Sequence, residues 1–127
     1  MRVVGPCMVL TLWMLGLLLH LAATAPLRLD VLPASTVRPL DSWHLRVWVE
    51  RDDTNRALRV EAHGADYDRL TDVPLEGSNA SRLHEIWWNG RVPCGHYLVA
   101  ASVLGVSDRL LAQTRKQATI CAQVEGP

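Results

Sequence analysis

Apolar and polar residues alternate with a period of two along most of the chain after about residue 25. Because successive side chains of a strand point to opposite faces, this period indicates strands with one buried face. The helical repeat i, i+3, i+4, i+7 is not sustained anywhere after Pro26. The alternation predicts seven strands, over residues 27–31, 43–50, 57–63, 71–75, 82–88, 97–103 and about 111–124.

Turn-forming segments separate these strands. Each contains Gly, Pro, Asn or Asp, which satisfy the backbone of a turn locally or tolerate positive φ. The segments are residues 39–42, 52–55, 64–66, 76–79, 89–90 and 105–108. Seven short strands without a helix predict an all-β fold, a single antiparallel β-sandwich.

The N-terminal residues differ in character from the rest of the chain. Arg2 is followed by an almost wholly apolar run, residues 3–25, which ends in the small-x-small pattern of a signal-peptidase site. The run is also long enough to span a bilayer, and Pro26 directly after the cut fits poorly in a protease cleft. We therefore predict a signal peptide or uncleaved anchor helix at residues 1–25 and an extracytoplasmic domain at 26–127, periplasmic or secreted.

The charge balance narrows the class of partner. The chain has 13 Lys and Arg residues against 13 Asp and Glu residues, and a formal net charge of zero. A nucleic-acid binder needs a basic surface to offset the phosphates. We therefore expect no nucleic-acid partner, and contact with a membrane only through the N-terminal segment if it is not cleaved.

Two cysteines are predicted to form a disulfide. A turn centred on Ser107 and Asp108 places Cys94 directly opposite Cys121, where the Cα atoms of antiparallel strands lie within disulfide range. An exported chain meets oxidising conditions. The alternative is a pair of buried free thiols. The absence of a C-x-x-C motif argues against a metal or catalytic role.

The pairing of residues 43–50 with 57–63 has two solutions. A hairpin would set Arg46 against Glu61 and Trp48 against Arg59 on one face. Alternatively, the link between the two strands crosses from one sheet to another, and their apolar faces meet in the core. The sequence leaves both open.

The segment Pro93-Cys94-Gly95-His96-Tyr97-Leu98-Val99-Ala100-Ala101 resembles the entry to the next-to-last strand of fibronectin type III-like and other immunoglobulin-like domains. The resemblance implies that Tyr97 is a corner tyrosine, whose hydroxyl bonds to nearby backbone while its ring fills the core. Most of residues 43–104 resembles small exported bacterial proteins of unassigned function with one such domain. The resemblance implies a fold and a compartment, and no active site.

Motifs for catalysis and metal binding are missing from the sequence. The four histidines after residue 25 have no metal-ligand spacing, and there is no G-x-S-x-G segment. The acidic loops at 52–55 and 66–68 lack the EF-hand pattern and are explained as turns. We therefore expect no metal, no cofactor and no enzyme.

The tryptophans carry the functional prediction. Trp43 has the inward phase, whereas Trp48 lies on the opposite face of its strand, and of the adjacent Trp87 and Trp88 one must point outward. The candidate binding residues are Trp48, Arg46, Arg59, Trp87 and Trp88. The alternative is that these tryptophans lie under arginines or a loop.

The predicted function is that of a non-catalytic exported binding or structural module of the cell envelope. It would engage a protein partner through an edge strand or a tryptophan-bearing sheet face. The alternatives are a module that binds a small ligand or glycan and, third, a small hydrolytic enzyme.

Overall fold

The computed structural model describes residues 27–122, most of which are in β-strands. Eight strands and two short 3₁₀ turns make up this part of the chain, which contains no α-helix, so the predicted all-β class is confirmed. The strands are β1 (Leu27–Leu32), β2 (Ser35–Thr36), β3 (Leu40–Val49), β4 (Ala57–His63), β5 (Asp68–Pro74), β6 (Leu83–Val92), β7 (Gly95–Leu104) and β8 (Leu110–Ile120). The predicted signal peptide or anchor at residues 1–25 lies outside the described residues. Within residues 27–122, no helix is long and apolar enough to cross a membrane.

The strands form two sheets. The three-stranded sheet has the order β1-β3-β6, and the five-stranded sheet has the order β2-β8-β7-β4-β5. All pairs are antiparallel except β2 with β8. Because β3 and β4 belong to different sheets, the link between them crosses, and the hairpin alternative is wrong. Arg46 lies opposite Glu85 of β6 and not opposite Glu61.

The inward faces of both sheets share one hydrophobic cluster with Trp43 fully buried in it. Its ring packs edge-on against Tyr97, with centroids 5.3 Å apart, and against Trp88 at 6.3 Å. Its Nε1 donates a hydrogen bond to the carbonyl oxygen of Pro33 at 3.0 Å. Burying an indole costs little free energy when its N–H has a hydrogen-bond partner. Trp43, which was predicted to point inward, is therefore a core residue with its polar group hydrogen-bonded.

Several strand boundaries differ from the sequence prediction. β6 continues through Asn89-Gly90, which was predicted to be a turn. Gly90 has φ of 114°, and the register against β3 shifts between Leu40 and Ser42, so the glycine accommodates a bulge instead. β5 begins at Asp68, three residues before its predicted start.

The chain also has a short strand that the alternation did not indicate, and a shorter last strand. β2 has only two residues, too few to show a period, and pairs in parallel with the end of β8. β8 ends at Ile120, because Cys121 takes φ of 61° and leaves the strand.

The β7–β8 hairpin has the predicted register. Gly95 pairs with Ile120, and the tight turn is made by Ser107 and Asp108, with φ of 57° and 59°. Cys94 and Cys121 are bonded, with an S–S distance of 2.03 Å and Cα atoms 5.0 Å apart, so the predicted disulfide is confirmed. Such bonds are typical of proteins in oxidising compartments.

Tyr97 lies near the start of β7, the first strand of this hairpin. Its hydroxyl donates a hydrogen bond to the carbonyl oxygen of Pro93 at 2.6 Å, while its ring is buried in the core. Gly64 packs directly on the ring: a Cβ at that position would lie 2.5 Å from Cε1 of Tyr97. The ring, its hydroxyl and the facing glycine therefore fix the position of β7 relative to the β4–β5 turn.

Candidate binding face of the three-stranded sheet

The outward side chains of the three-stranded sheet form a face three strands wide, which we call the outer face. The strand registers align these side chains in three cross-strand rows. The rows are Arg28–Trp48–Leu83, Asp30–Arg46–Glu85 and Leu32–His44–Trp87. Each row contains one residue from each of the three strands, and neighbouring side chains in a row are close enough to interact.

Trp48 lies beneath two arginines. The guanidinium carbon of Arg28 is 4.6 Å from the centre of its ring, and that of Arg46 is 5.0 Å away. Cations at this distance over an indole are attracted by the electrons of the ring. The half-buried Trp48 is therefore a support for two charged side chains, in agreement with the alternative interpretation of this residue.

The charges of the first two rows balance, because Arg28 and Arg46 offset Asp30 and Glu85. Glu85 places one carboxylate oxygen 3.5 Å from Nε of Arg46 and 3.4 Å from Nε2 of His44, and Arg28 contacts Asp30 at 3.2 Å. An exposed ion pair such as Arg28–Asp30 contributes about 0–1 kcal/mol, because water screens it. Nε of Arg46 and Nε2 of His44 are themselves buried and make no hydrogen bond to the described residues. Since the charges largely cancel, the outer face offers no net field to attract a charged partner.

Trp87 is the most prominent apolar residue on the outer face, with 59% of its surface exposed. Its ring stacks on the imidazole of His44, with centroids 3.7 Å apart and planes only 2° from parallel. The exposed Leu32 follows in the same row. Stacking restricts the rotamers of Trp87, so little side-chain entropy remains to be lost when another molecule covers it.

The strand that carries Trp87 is also a sheet edge. Val49 N–H donates to the carbonyl oxygen of Arg82 at 2.7 Å, which fixes the alternation of hydrogen bonds between β3 and β6. It follows that the backbone groups of Leu83, Glu85 and Trp87 point away from β3. The same three residues therefore present both their side chains on the outer face and their backbone at the edge.

Two of the five predicted binding residues are not on this face. Trp88 is buried in the core, and its Nε1 donates to Oγ1 of Thr71 at 2.7 Å. Arg59 lies on the five-stranded sheet, where it bonds Asp72 through two hydrogen bonds of 2.8 and 3.0 Å. These bonds raise the pKa of Arg59 and lower the pKa of Asp72. The structure brings together only Trp48, Arg46 and Trp87.

Sequence reasoning missed other members of the outer face. His44, Glu85 and Leu32 were not predicted as binding residues. The contacts of His44 and Glu85 depend on β3 pairing with β6, a strand more than thirty residues further along, and Leu32 joins them through the pairing of β1 with β3. The alternation of apolar residues along β6 could have shown which of Trp87 and Trp88 points outward. The apolar Ile86 shares its phase with Trp88, which assigns the even-numbered positions to the core and leaves Trp87 outside.

On the outward side of the five-stranded sheet, His63 lies between two carboxylates. Its Nε2 is 3.0 Å from Glu61 and its Nδ1 is 3.0 Å from Asp68, and these hydrogen bonds raise the pKa of the imidazole. Nearby, a shallow depression of about 420 Å³ is lined by His63, His96 and Gln117, among others. Within residues 27–122, no group of three or more His, Cys, Asp or Glu side chains is arranged to hold a metal ion.

Comparisons with known proteins give little guidance to function. No family model and no curated protein matches the chain. Among solved structures, the chain is similar to a family 76 glycoside hydrolase from a bovine Bacteroides thetaiotaomicron strain, with 16% identity and a TM-score of 0.49. The match covers 73% of this chain and 20% of the hydrolase chain.

This finding corrects the expectation that the chain is not an enzyme. The neighbour is a glycoside hydrolase, which contradicts that expectation, and we withdraw it. A similarity of this extent transfers neither an activity nor a substrate to the chain, and the functional argument below makes no use of it.

Proposed function

We propose that residues 26–127 form an immunoglobulin-like sandwich of the fibronectin type III kind that serves as an exported binding module. The sheet orders β1-β3-β6 and β8-β7-β4-β5, with the β3–β4 link crossing between sheets, support this fold. So does Tyr97, which bonds back to the backbone at the start of β7. Export is supported by the disulfide and by the apolar residues 3–25.

The module binds a protein of the cell envelope at the corner of the outer face formed by Trp87 and Leu32, together with the open edge of β6. The exposed Trp87, stacked on His44 and carried by the edge strand of its sheet, is the observation that supports this proposal most strongly. An extended segment of the partner adds to β6 through main-chain hydrogen bonds, and an apolar side chain covers the indole. Tryptophan is enriched among residues that dominate binding energy.

A glycan is the second candidate ligand for the same corner. The exposed face of the Trp87 indole is flat and fixed by the stack with His44, and such a surface can pack against the apolar face of a sugar ring. The two candidates differ in their need for the edge, because a sugar stacked on Trp87 requires no hydrogen bonds from the β6 backbone.

The test uses a photo-crosslinking amino acid placed at Glu85 in the full chain, expressed in its native host. Glu85 is exposed and shares the outer face and the edge of β6 with Trp87, which stays in place. The matched control places the same group at Leu98, an exposed residue on the outward side of the five-stranded sheet. We expect a discrete protein adduct from position 85 and none from position 98. With that protein purified, Trp87→Ala is expected to weaken binding about 30-fold, the loss typical of a central tryptophan.

Two results would decide against the proposal. One is that positions 85 and 98 give the same adducts, and the other is that Trp87→Ala leaves the affinity unchanged. Trp87→Ala removes the stack with His44 and should cost about 1 kcal/mol of stability. A domain with about 5–15 kcal/mol stays folded after such a loss, so lost binding reports on the site and not on unfolding. Quenching of Trp87 fluorescence by soluble glycans, without any protein adduct, would favour the glycan candidate.

A further inference from the structure

Three links and the start of β1 share one end of the molecule. Leu27 lies opposite Val49, where β3 ends, and Ala57 lies opposite both Leu104 and Pro74. The links 50–56, 75–82 and 105–109 therefore emerge at the same end as the first described residue. We call it the N-terminal end. The chain leaves the described part at the opposite end, where Ala122 N–H donates to the carbonyl oxygen of Thr36.

Exposed aliphatic side chains cluster at the N-terminal end. Val106 is 67% exposed and Leu110 is 55% exposed, and Leu111 beside them is exposed as well. These three residues, which we call the apolar tip, flank the tight turn between β7 and β8. Neighbouring exposed aliphatics on a protruding hairpin are typical of a surface that is covered in the working protein.

The apolar tip projects beyond the point where β1 begins. Nζ of Lys116 lies 3.8 Å from Oδ1 of Asp30, so β8 runs alongside β1, and both strands run away from the N-terminal end. β8 starts six residues before Lys116, whereas β1 starts three residues before Asp30. At about 3.3 Å per residue, the start of β8 extends about 10 Å further than Leu27.

The residues that precede β1 determine what this end faces. Residues 3–25 are almost wholly apolar and long enough to cross a bilayer, and only Pro26 separates them from Leu27. Two residues span at most about 7 Å. A chain that leaves a bilayer at residue 25 therefore holds Leu27 closer to the lipid surface than the distance by which the apolar tip projects.

We propose that the apolar tip docks in the headgroup layer of the bilayer to which residues 3–25 tether the chain. Val106, Leu110 and Leu111 enter the boundary between headgroups and acyl chains. Arg109 directs its guanidinium to the phosphates while its methylene stem packs with the aliphatics. The charge of the adjacent Asp108 offsets that of Arg109, so docking depends on apolar burial and shows little preference for anionic lipid.

The experiment reconstitutes the full chain in phosphatidylcholine vesicles that contain a small fraction of phospholipid with a diazirine on its acyl chain. After illumination, reduction of the Cys94–Cys121 disulfide and trypsin digestion, the labelled peptides are identified by mass. We expect label in residues 3–25, in residues 92–109, the peptide that includes Val106, and in residues 110–115, the peptide that includes Leu110 and Leu111. Leu110→Asp should reduce label in residues 92–109 at least tenfold and leave label in residues 3–25 unchanged, which serves as the internal standard.

Leu70→Asp is the matched control, because Leu70 is 52% exposed, nearly as much as Leu110, but lies on β5. It should leave the labelling pattern as in the unmodified chain. The proposal is overturned if residues 3–25 are labelled and residues 92–109 are not, or if Leu110→Asp changes nothing. It is equally overturned if the mature protein from its host starts near residue 26, since the tether is then absent.

Replacing 20% of the phosphatidylcholine with phosphatidylglycerol should not raise the label in residues 92–109. A severalfold rise would contradict docking by apolar burial.

Discussion

The disulfide between Cys94 and Cys121 should contribute a large share of the stability of the domain. It joins residues separated by 27 positions, at the base of the β7–β8 hairpin. In the chain-entropy description, closing a loop of this length removes about 12 cal/mol/K from the unfolded chain, or about 3.5 kcal/mol at 25 °C. Replacing both residues by serine should therefore lower the melting temperature by about 15–25 °C. A domain of this size has only about 5–15 kcal/mol in total.

Urea unfolding of the two proteins measures this loss directly. Both should carry Cys7→Ser, so that no third thiol can exchange with the bridge. Cys94 is exposed and Cys121 half-buried, so the serine hydroxyls add little desolvation cost. The entropic argument also predicts a steeper denaturant dependence for the serine variant, because its unfolded chain exposes more surface. A loss below about 1 kcal/mol with an unchanged slope would refute the reasoning, because the bridge would then not constrain the unfolded chain.

Four further substitutions test the core and the surface. Tyr97→Phe removes the corner hydroxyl and should cost about 1–2 kcal/mol in chemical denaturation, whereas Gly64→Ala forces a methyl group to 2.5 Å from the anchored ring and should cost about 1–3 kcal/mol. If Gly64→Ala is neutral, the ring is free to move. Hydrogen bonds that the His63 ring donates to the carboxylates of Glu61 and Asp68 raise the pKa of His63 above its ordinary value of 6.5. The stabilising contribution of His63 is therefore present below about pH 6.5 and is lost as pH rises through the raised pKa. NMR titration should give a pKa of His63 above 6.5, and Glu61→Gln should lower it. Urea unfolding should show that His63→Gln is destabilising at pH 6 but neutral at pH 9. A pKa of His63 at or below 6.5 would contradict the role assigned to the two carboxylates.

The parts of the fold that follow from local sequence could be predicted. The β7–β8 register was predictable because a turn of fixed position at Ser107-Asp108 determines the pairs from Gly95–Ile120 to Val103–Ala112 and sets Cys94 opposite Cys121. Leu104 departs from this register and pairs with Leu110. The inward phase of Trp43 was predictable because a strand has only two faces, and its apolar neighbours choose one. In both cases the deciding residues are close together in the chain.

The composition of the outer face could not be predicted in the same way. Whether Arg59 lies beside Trp48 depends on whether the β3–β4 link turns back or crosses, and the apolar pattern of both strands fits either arrangement. The choice is made by packing in the complete core, where β3 pairs with β6. Asn89-Gly90 was wrongly predicted to be a turn, because a glycine with positive φ occurs in a bulge as well as in a turn.

The crossing of the β3–β4 link has a consequence for the order of folding. β7 and β8 are joined by five residues, so their hairpin closes at a small entropic cost and can form early. β3, by contrast, pairs with β6, which begins more than thirty residues after β3 ends. Long-range pairings of this kind are slow. The rows that hold Trp87 against His44 therefore form only after the long loop between β3 and β6 has closed, and a chain in which it is still open does not present the outer face.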